Sequence, residues 1–188
     1  MSPGKIIDHK QLADVLLQAA KITLEEKYNA RFSQDPIVAE REIIEYGSRI
    51  RTLGLDKFND PCYVSSINLF SSQENLKQQK TSGAIIIYIE EVIGQDFLKA
   101  INKKADDDDE ELVMKNCGEI LKEIAAKFIN SAQNFGYSNM VSSETINEKN
   151  DISGGVDFEY NETKLQEISF FIKKVKAVVI SITLAPAP

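Results

Sequence analysis

The residues of this chain whose types and spacing could do chemistry together lie between 115 and 133. A helix advances about 100° per residue, so its faces can be read from position. Lys115, Glu119, Lys122, Ala126, Asn130 and Gln133 fall on one stripe of such a helix. The stripe is polar except for Ala126, a small residue that would let another surface approach closely. A carboxylate, ammonium groups and amides on one face can dock a charged partner or hold a water. Taken as residues alone, the stripe reads as a solvated helix face. Glu119 would then pair with Lys122, or Glu123 with Lys127, each pair contributing about 0.2–0.5 kcal/mol.

The opposite side of the same helix carries Val113, Cys117, Ile120, Leu121, Ile124, Phe128 and Phe135, which should bury against a sheet. The pattern predicts a helix from about 109 to 134, closed by Asn134-Phe135-Gly136, a glycine-type stop. Its entry is the acidic run Asp106 to Glu111. Negative side chains suit a helix N-terminus, where the macrodipole is positive. A calcium loop would need ligands alternating with spacers and a turn glycine, which this run lacks.

Other chemistries are excluded by what the chain does not have. The single histidine, His9, removes most zinc sites, Ser-His-Asp triads and Cys-His dyads. The two cysteines, Cys62 and Cys117, fall in apolar surroundings and read as buried free thiols. No metal site and no cofactor of the chain's own is expected, since there is no glycine-rich phosphate loop, clustered ligand set or nucleophile elbow. Net charge is -7, and the nearest thing to a basic run, Lys173, Lys174 and Lys176, sits at a turn. Nucleic acid is therefore not an expected partner. The start has no apolar signal segment, and the apolar stretches 84–89 and 177–185 are too short to span a bilayer. A cytoplasmic location is expected.

The 188 residues, 43% of them hydrophobic, suit one domain with its own core. Residues 9–30 carry an amphipathic pattern in Leu12, Val15, Leu16, Ala19, Ala20 and Leu24, with Asp8 as the N-cap. Asp35-Pro36 breaks the chain. Between 37 and 54 the pattern is mixed; Ile43-Ile44, Ile50 and Leu53 suit one strand weakly. A strand is predicted at 62–71, a hairpin loop at 72–82, and a central strand in Ala84 to Glu90 (AIIIYIE), which is nearly continuous in β-branched residues. A short helix follows at 91–103. After the long helix, strands are predicted near 138–146 and 154–160. The clearest hairpin comes last: Ile168 to Ile172, a turn through Lys173-Lys174, then Ala177 to Leu184. The fold class expected is α+β, a largely antiparallel sheet with the long amphipathic helix and the other helices packed on one face.

In this setting Glu119-Ile120-Leu121-Lys122-Glu123-Ile124-Ala125-Ala126 resembles the Glu-x-x-Asn-x-x-x-Gly helix of the CheX/CheC/FliY chemotaxis phosphatases, and of the CheX branch above all. Glu119 is kept, Lys122 stands where the Asn belongs, and Ala126 stands for the Gly. The strand Gly83 to Ile89, the acidic entry and the terminal hairpin follow the family's order of elements. The resemblance covers roughly 60–185, and the N-terminal helix region, 1–35, is compatible with one CheX-like domain over 1–188. The same Glu-x-x-Asn spacing also occurs at Glu26/Asn29 and at Glu144/Asn147, about what chance gives.

The resemblance implies a partner, a phosphorylated CheY-type response regulator, with any Mg²⁺ belonging to that partner. It implies that Glu119 engages the regulator's active-site lysine, and that the residue at 122 should reach the phospho-aspartate and orient the attacking water. Lys115, Glu119, Lys122, Ala126 and Asn130 would form the docking surface. Position 122 is degenerate for that role: an amide both accepts and donates, whereas an ammonium only donates. The expectation is a regulator-binding protein with weak or lost phosphatase activity. Two alternatives stand beside it. One is a working phosphatase using Asn116, Asn130 or Gln133, and the other is a non-catalytic interaction module. The resemblance further implies a homodimer formed through the sheets.

Overall fold

The computed structural model describes residues 6–101, 103, 109–158 and 163–188. Helix α1 spans His9–Lys21, and Ile22–Lys27 prolongs it as a wider π-helical turn. Then come β1 (Ile37–Glu42), β2 (Glu45–Tyr46), β3 (Arg49–Ile50), α2 (Gly54–Phe58) and β4 (Cys62–Phe70). They are followed by α3 (Gln73–Lys77), β5 (Gly83–Glu90), α4 (Glu91–Ala100) and α5 (Glu110–Asn130). The chain closes with a 3₁₀ turn (Ala132–Phe135), β6 (Val141–Ser142), β7 (Ile146–Lys149), β8 (Val156–Asp157), β9 (Lys164–Ile172) and β10 (Val175–Leu184).

The main sheet runs β1-β9-β10-β5-β4-β6, with β7 also on β4, and its pairs are antiparallel. The expected α+β class with a largely antiparallel sheet is what the chain adopts. Lys173 and Lys174 both take positive φ, 51° and 64°, and so form the tight turn that joins β9 to β10. Strand β5 is buried along its whole length. Because side chains alternate across a strand, Ile85, Ile87 and Ile89 face α1, α4 and α5, while Ala84, Ile86 and Tyr88 face the other way.

That second face requires its own cover, and residues 43–58 together with 152–158 supply it. The weak single strand expected between 37 and 54 is instead β1 on the sheet edge, then β2 and β3, then α2. Strands β2, β3 and β8 form a separate small sheet whose Ile50 and Val156 pack with Val64, Ile86 and Val179. Helices therefore do not all lie on one face: α2 packs on this second side beside Glu167, whose carboxylate accepts from Lys57 Nζ at 2.5 Å. A sheet apolar on both faces buries each of them.

Local signals end the elements where the chain requires it. Asp8 accepts from the Lys10 and Gln11 amides and caps α1. The predicted loop at 72–82 contains α3, capped by Ser72. The helix expected at 91–103 stops at Ala100, and the strands expected near 138–146 and 154–160 are three short pieces, β6, β7 and β8. Cys62 and Cys117 are buried free thiols, as expected. Burial pushes the pKa of each up to about 12.

Candidate functional site

Helix α5 is the element that carries the candidate residues. Asp109 caps it by accepting from the Leu112 amide at 3.0 Å, and Glu110 and Glu111 occupy its first turn. Asp106, Asp107 and Asp108, the first part of the acidic entry, lie outside the described residues. The helix ends at Asn130, earlier than expected, and the chain turns through the 3₁₀ segment to Gly136 at φ 90°. Val113, Cys117, Ile120, Leu121, Ile124 and Phe128 are all fully buried. Each buried side chain of that size contributes about 1.5–3 kcal/mol, so the rotation of α5 about its axis is firmly set.

With that rotation fixed, Lys115, Glu119, Lys122, Ala126 and Asn130 are exposed together. Gln133 is exposed on the 3₁₀ turn beyond them, and Asn116 is half-buried at the flank. The periodicity thus identifies both faces of α5 residue by residue.

The ion pairs differ from those expected within the helix. Lys122 Nζ lies 3.0 Å from Glu144, on the loop between β6 and β7. The hydrogen bond to Glu144 raises the Lys122 pKa, so the ammonium stays charged. Glu123 pairs with Lys27 at 2.9 Å and accepts from the Tyr28 hydroxyl, at the end of the turn that prolongs α1 and just past it. Burial opposes ionisation of Glu123, but those two donors prevail and its pKa is lowered. The stripe therefore has walls: Lys27 and Tyr28 beside Glu123, and Glu144 beside Lys122. Long-range partners displace the local i,i+3 and i,i+4 pairs because they arrive on elements already fixed by the core.

Strand β7 lies against α5 at its other end. Lys149 pairs with Glu91 at 2.9 Å and with Glu110, tying α4, α5 and β7 together. Between these contacts, Asn147 packs on Gly118, where a side chain on the helix would overlap the Asn147 amide. Glu144 and Asn147 are the neighbours that sequence reasoning missed. Their signal was present as a repeat of the Glu-x-x-Asn spacing, but only pairing of β7 with β4, as in Ser66↔Ile146, brings them to α5.

Among the described residues no group of His, Cys, Asp and Glu could hold a metal ion, and no helix is long and apolar enough to cross a membrane. The polar side chains exposed on the stripe can recognise a charged surface and position water.

No family model matches the chain, and no curated protein does. Solved structures do. A CheC-like superfamily protein from Shewanella sp. PV-4 superposes with a TM-score of 0.59 at 12% identity, over 91% of this chain and 95% of that one. The chemotaxis protein CheX from Vibrio vulnificus gives 0.57 at 11%, over 92% and 97%. The CheX–CheY–BeF3–Mg²⁺ complex from Borrelia burgdorferi gives 0.58 at 14%, over 96% and 99%. The chain has the fold of the CheX/CheC/FliY chemotaxis proteins.

Proposed function

We propose that this protein binds a phosphorylated CheY-type response regulator through the exposed stripe of α5, and that Lys122 leaves it with weak or lost phosphatase activity. The observation that carries this reading is the exposure of Glu119 and Lys122, about one helical turn apart, in a fold shared with a CheX solved in complex with CheY. Glu119 supplies a carboxylate for the regulator's lysine, and Ala126 leaves room for close approach. Any Mg²⁺ belongs to the regulator. Phosphoryl transfer depends on alignment and charge, with little covalent work for the protein. An ammonium at 122 provides neither the acceptor that holds a water nor a neutral neighbour for the regulator's cation.

Binding is measured against a CheY-type receiver with and without BeF3 and Mg²⁺. The expected result is binding that needs the BeF3 form and is weakened by Glu119→Ala. Equal affinity for both forms, or none for either, would sink the reading. The half-exposed Ile37 and Val38 on the edge strand β1 support association of two copies through their sheets, which sedimentation of the purified chain tests.

A further inference from the structure

Asn147, on β7, packs on Gly118 of α5. A Cβ on Gly118 would overlap its Oδ1 and stand 2.8 Å from its Nδ2, so its amide fills the space that glycine leaves. The Oδ1 is shut off from solvent and accepts no hydrogen bond. The Nδ2 reaches Thr145 Oγ1 at 3.4 Å, long for a hydrogen bond. An unmet buried amide acceptor costs about 1–3 kcal/mol. Turning this side chain outward gives up its packing on Gly118 but releases the acceptor from that penalty.

Gly118 stands about one helical turn before Lys122, so Asn147 lies beside the stripe. The residue as a whole is only half-buried, and Glu144, three positions earlier on the same segment, already holds Lys122 at 3.0 Å. Glu144-Thr145-Ile146-Asn147 thus runs beside α5 from Lys122 to Gly118. The Glu144 carboxylate holds the Lys122 ammonium to one side, while the nearby amide has no firm partner. Of the two side chains, the amide is the one that can accept from a water and donate to a phosphoryl oxygen.

We propose that Asn147 supplies the amide that position 122 lacks, orienting the water that attacks the receiver's aspartyl phosphate. This rests on the receiver-docking reading above. The water oxygen bonds to phosphorus as the bond from phosphorus to the aspartyl oxygen breaks. The electron pair of that bond stays on the aspartate as carboxylate, and the phosphate leaves with the water's oxygen, releasing a proton to solvent. Asn147 contributes alignment and takes no part in bond making. Weak hydrolysis by the wild type is then carried by the strand beside the helix.

The test follows the decay of a CheY-type receiver phosphorylated with acetyl phosphate, alongside affinity for its BeF3–Mg²⁺ form. The wild type should accelerate decay, Lys122→Ala should still accelerate it, and Asn147→Ala should return it to the receiver's unaided rate with affinity unchanged. The double variant Lys122→Asn with Asn147→Ala should regain acceleration, which shows that the fold survives and that the missing group is an amide. Acceleration that persists in Asn147→Ala overturns the inference. So does a wild type that binds the receiver without speeding decay, an outcome that leaves docking intact. Parallel loss of affinity and rate in Asn147→Ala marks the residue as structural and also overturns it. A wild type that binds neither form removes the docking reading itself.

Discussion

The ammonium of Lys122 on α5 lies 3.0 Å from the carboxylate of Glu144, a residue of the β6–β7 loop 22 positions further along the chain. The pair is open to water, with side-chain exposures of 49% and 88%, so its contribution is small. A double-mutant cycle of Lys122→Ala and Glu144→Ala should give a coupling below about 1 kcal/mol, shrinking as salt is added. A larger coupling, unaffected by salt, would show that the pair is more protected than this geometry allows.

Glycines 54 and 118 should respond very differently to alanine. At Gly118 the added methyl meets the end of the Asn147 side chain, which can turn away. The helix propensity gained, about 1 kcal/mol, offsets that displacement, so stability should change by less than about 1 kcal/mol. At Gly54 the methyl meets the backbone oxygen of Asn150 and the sulfur of buried Cys62. Those atoms cannot yield without moving β4, and Gly54→Ala should destabilise by about 2 kcal/mol or more. Urea midpoints of the two variants decide between these outcomes.

Among the described residues, Glu167 is the most deeply placed carboxylate that carries an ion pair, with 3% side-chain exposure, and it is held by Lys57 at 2.5 Å and Arg41 at 3.4 Å. Removing it leaves Lys57, itself only 19% exposed, without its carboxylate beneath α2. Glu167→Ala should therefore cost about 3–5 kcal/mol in denaturant unfolding. A loss no greater than that of an exposed pair would mean that water reaches this site.

Glu40 is set for an acid response. Hydrogen bonds from Lys164, His9 and Gln166 hold its pKa down to about 2, against 4.5 for an ordinary glutamate. A carboxylate depressed in the folded state stabilises fully above its unfolded pKa and loses that contribution as pH falls through the folded value. The stability gap between the wild type and Glu40→Gln should therefore be constant above pH 4.5 and close progressively toward about 2. A gap that stayed constant across that window would show that the three donors do not act on this carboxylate.

The two thiols provide a check on the core. Burial raises both Cys62 and Cys117 to about 12, which leaves almost no thiolate near neutral pH. Native protein should react with a thiol reagent only as fast as it opens, and denatured protein at once at both positions. Fast labelling of Cys117 in native protein would mean that α5 does not pack as described.

Much of the fold is legible in the chain because it is written in local periods. The alternation of apolar and polar positions along α5 separates Ile120 and Ile124 from Glu119 and Lys122 without any tertiary information. Asp8, the turn at Lys173-Lys174 and the apolar run of β5 likewise announce themselves. The segment 37–58 does not, because its strands are only two to six residues long and its helix only five. Elements that short carry too little pattern to be told from a loop.

By itself, the sequence determined which face of the long helix is dry and which is wet, and it placed Glu119, Lys122 and Ala126 together on the wet one. Helical geometry makes that a matter of spacing alone. What stands beside those residues was decided only by the tertiary structure. Lys122 turned from its helical neighbours to Glu144, Glu123 to Lys27 and Tyr28, and Asn147 came to rest on Gly118. Those partners lie far away in the chain, and their meeting depends on β7 pairing with β4 and on the end of the turn that prolongs α1 lying beside α5. A spacing rule extends a few residues along one element, whereas the packing of a shared core fixes distances between elements that no local pattern encodes.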